Sequence, residues 1–221
     1  MKNQGNIISK RQLQKFTSLR WAYRNYSEEE FINDPGIDFV FKKLDCIKPK
    51  KGVIPSLTKI GQANYYYVIS GNPIIRNHLP VEDFPISLSR LSIPFTTNGI
   101  WQAFLLNEAT NLFLPLGWHY NYDRKSLITS TNMMKNLKNS LFSSLPNECH
   151  TRKRIDEIAL SDSYLPTVEI TGDKAILNYY CWSDWGGLFK VEQRVRRKGK
   201  SVYFYRPKRK NVYKFSCGIL F

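Results

Sequence analysis

The residues that bear most directly on function lie near the carboxyl end of the chain, where cationic side chains alternate with aromatic ones. Residues 187–214 contain eleven Lys or Arg residues and a single acid, Glu192. Cations of this kind attract phosphates and carboxylates, and tyrosine rings offer flat surfaces on which unpaired bases stack. The candidate residues for binding an anion or a nucleic acid are Lys190, Arg194, Arg196, Arg197, Lys198, Lys200, Tyr203, Tyr205, Lys208, Arg209 and Lys210.

A second group of residues could instead line a pocket for a small molecule. His119 is followed four positions later by Asp123, and a histidine with a neighbouring carboxylate is the minimal arrangement for a general base. The bend at residues 182–187 holds two tryptophans beside two glycines. The candidate pocket residues are therefore Glu108, His119, Asp123, Trp182, Asp184 and Trp185. A structural histidine among aromatic rings and an ordinary turn at the bend are the plainer interpretations.

The sequence carries no nucleotide-binding loop, no nucleophile motif and no metal-ligand spacing. His78 and His150 have no Cys or carboxylate partner at the spacing that zinc requires, and the four cysteines form no C-x-x-C pair. We therefore expect no metal and no cofactor, and a non-catalytic role is favoured over an enzyme. Because we find neither a secretory leader nor eighteen consecutive apolar residues, we expect a cytoplasmic protein with reduced thiols and no membrane partner.

The composition of the whole chain indicates a folded protein with an excess of positive charge. Of its 221 residues, 42% are hydrophobic and 14% aromatic, which is typical of a globular protein. The formal net charge of +15 favours association with polyanions, although a basic solvated surface is the simpler alternative. We predict a helical and aromatic region over residues 1–125. Helices plus an antiparallel meander follow over residues 126–221, and the two regions could form one continuous domain.

Besides a helix that begins with the capping box at Ser27 and a short one over about residues 152–160, helices are predicted at three points along the chain. Ser9 begins a capping box at the start of the first. Asn98 is predicted to cap a second helix over residues 99–113, whose centre is apolar nearly all round and therefore expected to be buried. Ser130 or Thr131 caps an amphipathic third helix.

The last quarter of the chain predicts antiparallel strands separated by short turns. Gly172-Asp173 and Lys198-Gly199 are the two-residue turn signals, and residues 207–211 are predicted to be a basic loop. Helices and irregular segments are thus followed by a C-terminal antiparallel sheet of four or five strands. The predicted fold class is α+β.

Strand alternation sorts the side chains of the predicted hairpin at Lys198-Gly199 onto two faces. With this turn, Arg194 faces Tyr203 across the two strands. The core face then carries Phe189, Val191, Val195, Val202 and Phe204. The solvent face carries Lys190, Glu192, Arg194, Arg196, Tyr203 and Tyr205. Ordinary packing of tyrosines over arginine stems is the alternative to a binding role for this face.

Besides the structural role of an assembly subunit whose exposed aromatic residues form protein–protein contacts, two functions remain open on these residues. The first is a cytosolic, non-catalytic binding protein whose basic C-terminal sheet meets an acidic partner, either a nucleic acid or an acidic protein face. The second is a small-ligand-binding protein or enzyme with a pocket between the helices and the sheet, near His119, Glu108 and the bend at residues 182–187.

Overall fold

The fold is α+β, which confirms the predicted class. The computed structural model describes residues 6–14, 44–52, 55–60, 65–70, 88–108, 125–144, 164–183 and 186–214. Within these ranges, helix α1 spans Thr97–Glu108, helix α2 spans Thr131–Ser144, and a third helix begins at Lys10. The strands are β1 (Asn6–Ile7), β2 (Lys48–Pro49), β3 (Pro55–Ile60), β4 (Tyr65–Ser70), β5 (Leu91–Ser92), β6 (Lys125–Leu127), β7 (Thr167–Thr171), β8 (Lys174–Ser183), β9 (Gly187–Lys198), β10 (Ser201–Phe204) and β11 (Lys208–Tyr213).

Hydroxyl side chains cap the first turns of α1 and α2. The Ser130 hydroxyl accepts a hydrogen bond from the Met133 amide at 3.1 Å, which confirms the predicted start of α2. At α1 the Thr96 hydroxyl accepts from the Gly99 amide at 3.2 Å, so the predicted cap at Asn98 was wrong by two residues. No helix among the described residues is both long enough and apolar enough to cross a lipid bilayer.

A buried amide, Gln102, ties two separate segments of the chain to α1. Its Nε2 donates to Gln12 Oε1 at 2.9 Å and to Asp45 Oδ1 at 2.7 Å. Its Oε1 accepts from the backbone N–H of Cys46 at 2.8 Å. Each interaction satisfies a polar group that would be costly to leave unpaired in the core, so the network specifies how these segments pack.

The C-terminal strands form the centre of a seven-stranded antiparallel sheet. Its order is β1-β7-β8-β9-β10, with β6 also paired to β8 and β11 also paired to β9. The long strands β8 and β9, of 10 and 12 residues, therefore each carry two short strands end to end along one edge. Two further two-stranded sheets pair β2 with β5 and β3 with β4.

One face of the sheet, the inner face, packs against α1. Leu177, Val191 and Val195 are buried there, as alternation predicts, and the rings of Phe104 on α1 and Tyr179 on β8 lie 4.7 Å apart between centroids. The same core holds apolar residues from the beginning of the chain. The division at residue 125 stays a prediction, because residues 109–124 lie outside the described ranges.

Among the described residues, helix α2 covers one end of the opposite face of the sheet, the outer face. Met134 of α2 packs there in a second apolar cluster with Trp182 of β8 and Leu188 of β9. A register shift between Asn211 and Tyr213 brings the Tyr213 ring into the same cluster, stacked on Trp182 with centroids 6.4 Å apart. Further along the outer face, Lys174, Arg194 and Arg196 are exposed to solvent.

The hairpin between β9 and β10 turns at Gly199-Lys200, not at the predicted Lys198-Gly199. Lys198 pairs with Ser201, so Gly199 is the first central residue of the turn. Gly199 has a φ of 59°, and no non-glycine residue in the described part of the chain has a positive φ. This combination of φ angles defines a type II′ turn, which has glycine at the first of its two central positions. The predicted turn placed Gly199 at the second position, so it was wrong by one residue.

This error changes the pairing but not the faces. Moving a turn by one residue shifts every cross-strand partner by two, so the two faces keep their members. Tyr203 pairs with Arg196 rather than with Arg194. Val195 and Val202 are buried and Phe204 is half-buried against the core, as alternation predicted.

We predict that Gly199→Ala destabilises the protein through backbone strain alone. A methyl group at this position meets no atom within 4 Å, but the positive φ of a type II′ turn is nearly restricted to glycine. The free energy of unfolding in urea should fall by about 1–3 kcal/mol. The neighbouring Lys200→Ala, which keeps an ordinary φ, should change it by less than about 0.5 kcal/mol. Equal stabilities of the two variants would contradict the turn assignment.

Candidate functional site

The open part of the outer face carries a cluster of cationic and aromatic side chains. Every one of these side chains is solvent-exposed, and they belong to β8, β9, β11 and the segment that includes β10. We call this surface the cationic face and define it by Lys174, Lys190, Arg194, Arg196, Tyr203, Tyr205, Lys208 and Lys210.

Strand β9 is the axis of the cationic face. Its even-numbered residues Lys190, Arg194 and Arg196 are exposed on the outer face, whereas Val191 and Val195 are buried on the inner face. Side chains of neighbouring strands that lie directly opposite each other share a face. Lys174 of β8 therefore joins the cationic face, because it pairs with Arg196.

Lys208, Arg209 and Lys210 lie in strand β11, so the predicted loop over residues 207–211 was wrong. Lys208 pairs with Glu192, and Lys210 pairs with Lys190. Both lysines consequently lie on the cationic face. The exposed edge of β9 explains the error, since it provides backbone hydrogen bonds for a segment that proline and consecutive charges had indicated as irregular.

One extra residue between β10 and β11 brings the tyrosines and the lysines to the same face. Phe204 pairs with Val195 and Lys208 with Glu192, so residues 205–207 stand opposite only two residues of β9. This is a β-bulge, and Pro207, which has no N–H, interrupts the ladder there. The bulge reverses the odd–even alternation. Odd-numbered tyrosines and even-numbered lysines therefore point the same way.

The side chain of Gln193 supports the bulge from the inner side. It is buried, and its Nε2 donates to the carbonyl of Tyr205 at 2.8 Å. The amide of Tyr205 in turn donates to the carbonyl of Arg194 at 3.0 Å. These bonds hold the backbone of Tyr205 in place where the regular ladder stops.

Acidic residues neutralise only part of the cationic face. Arg196 Nε lies 3.0 Å from Asp173 Oδ2, and Arg194 Nε lies 3.6 Å from Glu192 Oε1. Hydrogen bonds to Asp173 and then to Tyr205 raise the pKa of Arg196, so it remains a cation at every physiological pH. Both ion pairs are exposed and contribute little to folding stability.

The two tyrosines form a solvent-exposed pair of rings beside these arginines. Tyr203 is 52% exposed and Tyr205 is 42% exposed. Their ring centroids are 5.0 Å apart and their planes are perpendicular, so the edge of one ring meets the face of the other. At the other end of the face, Lys190 Nζ lies 6.0 Å from the centroid of the Tyr180 ring, at the outer range of a cation–π contact.

The remaining predicted binding residues surround the cationic face rather than belong to it. Arg197 and Arg209 pair with Val202 and Val191, so they start from the inner side of the sheet, although both are exposed. Lys198 is the last residue of β9, and Lys200 lies in the turn. The sequence analysis did not include Lys174, because its position opposite Arg196 follows only from the register between β8 and β9.

Of the predicted pocket residues, only Trp182 has a described side chain. It is 3% exposed in the cluster beneath α2. Glu108 is the last residue of α1, and His119, Asp123, Asp184 and Trp185 lie outside the described residues. The pocket near the bend stays a prediction. Among the residues that the structure does describe, no group of three His, Cys, Asp or Glu side chains could hold a metal ion.

No protein-family model, curated protein or solved structure matches this chain. The cationic face must therefore be interpreted from its own geometry and charge.

We predict that two aromatic residues of the outer face contribute very differently to the free energy of unfolding. Trp182→Ala should lower the free energy of unfolding by about 3–5 kcal/mol, because it empties a buried ring site. Tyr203→Ala should lower it by less than about 1 kcal/mol, because its ring is half in water. Urea denaturation followed by circular dichroism measures both changes. A large loss for Tyr203→Ala would show that its ring is a structural element.

Proposed function

We propose that this protein is a non-catalytic binding protein that holds an acidic macromolecule on the cationic face. The observation that carries the proposal is the gathering of six exposed cations from three adjacent strands on one face. They are Lys174, Lys190, Arg194, Arg196, Lys208 and Lys210. The acids of this region, Glu169, Asp173 and Glu192, offset only part of their charge.

A polyanion gains more from such a surface than a single small anion does. Each phosphate or carboxylate that meets a cation releases condensed counterions, and these gains accumulate along a polymer. Arg194 and Arg196 are about 6.6 Å apart along β9, and Lys190 lies about 13 Å from Arg194, on a backbone held by strands on both sides. Little side-chain and loop ordering is then required on binding, which favours affinity.

The chemistry of the described side chains supports binding rather than catalysis. The guanidinium and ammonium groups of these side chains attract anions and offer donors to phosphate or carboxylate oxygens. The open position of the face also leaves it in water, where charges attract a partner over a distance that depends on salt. Salt dependence is therefore the property to measure.

We predict that replacing Arg194 and Arg196 by alanine weakens binding and flattens its salt dependence. Fluorescence anisotropy with a labelled single-stranded oligonucleotide and with labelled polyglutamate, each over a series of salt concentrations, measures both quantities. Loss of two phosphate contacts should reduce the slope of log K against log salt by about 1.4 for the single strand. Both arginines are exposed, so the fold should be retained.

A matched control removes two cations from the opposite edge of the sheet. Lys10→Ala with Arg11→Ala deletes the same charge near β1, where both side chains are exposed. This variant should keep the wild-type slope. If the wild type binds neither polyanion at low salt, or if both double variants lose the same slope, the cationic face is not the binding surface.

A further inference from the structure

The tyrosine pair distinguishes one kind of acidic macromolecule from the others. In the perpendicular contact between Tyr203 and Tyr205, one ring presents its edge and the other its face. The contact occupies only part of the ring surface, and about half of each residue remains in solvent. Flat, exposed rings can bind flat, unpaired bases by stacking, whatever the base sequence.

Hydrogen bonds fix the backbone that carries one of the two rings and the arginine beside the other. Tyr205 is fixed through its backbone by Arg194 and Gln193. The neighbouring Arg196, which pairs with Tyr203, donates from its Nε to Asp173 Oδ2 at 3.0 Å. A ring that starts from a fixed backbone requires less ordering when a partner binds, which favours affinity.

The cations continue from the rings along the rest of the face. Arg196 lies directly across from Tyr203 on the adjacent strand. Residues 190–196 of β9 extend about 20 Å away from that point, and Lys208 and Lys210 run beside them on β11. A chain of nucleotides could therefore place bases on the rings while its backbone phosphates follow the cations, which is the arrangement that single-strand-binding surfaces use.

The shape of the face favours a single strand over a duplex. In a duplex the faces of the bases are covered by their neighbours, so the rings could reach them only at an end. The major groove, about 12 Å wide, admits a helix or a two-stranded ribbon. The cationic face instead lies within a broad sheet, with β7 and β8 beside β9. A flexible single strand can lie across this sheet. The sheet itself is too broad to enter the major groove of a duplex.

We infer that the partner of the cationic face is single-stranded nucleic acid whose unpaired bases stack on Tyr203 and Tyr205, an inference that rests on the binding role proposed above. The phosphates supply the salt-dependent attraction and the rings supply contacts that require bases. An acidic protein would satisfy the cations but would provide no bases for the rings.

The decisive comparison uses the wild-type chain and two probes of equal charge. One is a labelled oligothymidylate, and the other is a strand of the same length built from abasic sites, which keeps the phosphates and lacks the bases. Oligothymidylate should bind more tightly by about 5- to 100-fold, the range expected when one base stacks. This comparison needs no variant, so it does not depend on whether a substituted chain folds.

Variants then locate the stacking site. Tyr203→Ala and Tyr205→Ala should each weaken oligothymidylate binding by about 5-fold or more and leave binding of the abasic strand nearly unchanged. Tyr203→Phe keeps the ring and should restore the affinity. Val212→Ala, which removes exposed apolar surface from β11 without touching the tyrosines, should behave as the wild type.

Each other outcome separates this inference from the proposed function. Equal binding of the oligothymidylate and the abasic strand would leave a polyanion-binding face and overturn the role of the bases. Tighter binding of charge-matched polyglutamate, or of a duplex of the same length, would also overturn the inference and indicate an acidic protein or a duplex as the partner. Absence of binding to every probe would remove the proposed function with it.

Discussion

The cationic face depends on one constraint, the odd–even alternation of side chains along β9. Val191 and Val195 must be buried, so the alternate residues Glu192, Arg194 and Arg196 must lie on the opposite, outer face. The neighbouring strands either preserve or reverse this alternation. At β10 the type II′ turn preserves it, and before β11 a single extra residue reverses it. Together these two local geometries decide that tyrosines and lysines from different parts of the chain lie beside the arginines.

The two faces of the sheet have different roles, and so do the two ends of the outer face. The inner face and α1 form the main core, whereas α2 covers only the end of the outer face that holds Trp182 and Tyr213. Aromatic residues therefore occur on the outer face in two settings. Under α2 they are buried and contribute to folding, and beyond α2 the pair Tyr203 and Tyr205 is exposed and available for other uses.

The sequence was sufficient to predict which hairpin residues face the core and which face solvent. It was not sufficient to predict which residues pair across the strands. Alternation alone assigned Arg194 and Tyr203 to solvent, and this assignment survived a misplaced turn because a turn error moves pairings by two residues. The strand β11 was not predictable from its own composition, since Lys208, Arg209 and Lys210 have no apolar alternation. Its structure comes from hydrogen bonds with the edge of β9, a tertiary effect that outweighs local preference. The bulge at Pro207 likewise becomes visible only when both registers are known.

The position of β11 has a consequence for the behaviour of the molecule in concentrated solution. Sheets with a free border tend to recruit further strands, the process by which soluble proteins aggregate into fibrils. Here the described border carries three consecutive positive charges, Lys208, Arg209 and Lys210. A second molecule aligned along it in antiparallel fashion would bring like charges to within about 5 Å of each other. Repulsion between these charges therefore disfavours self-association along this edge of the sheet.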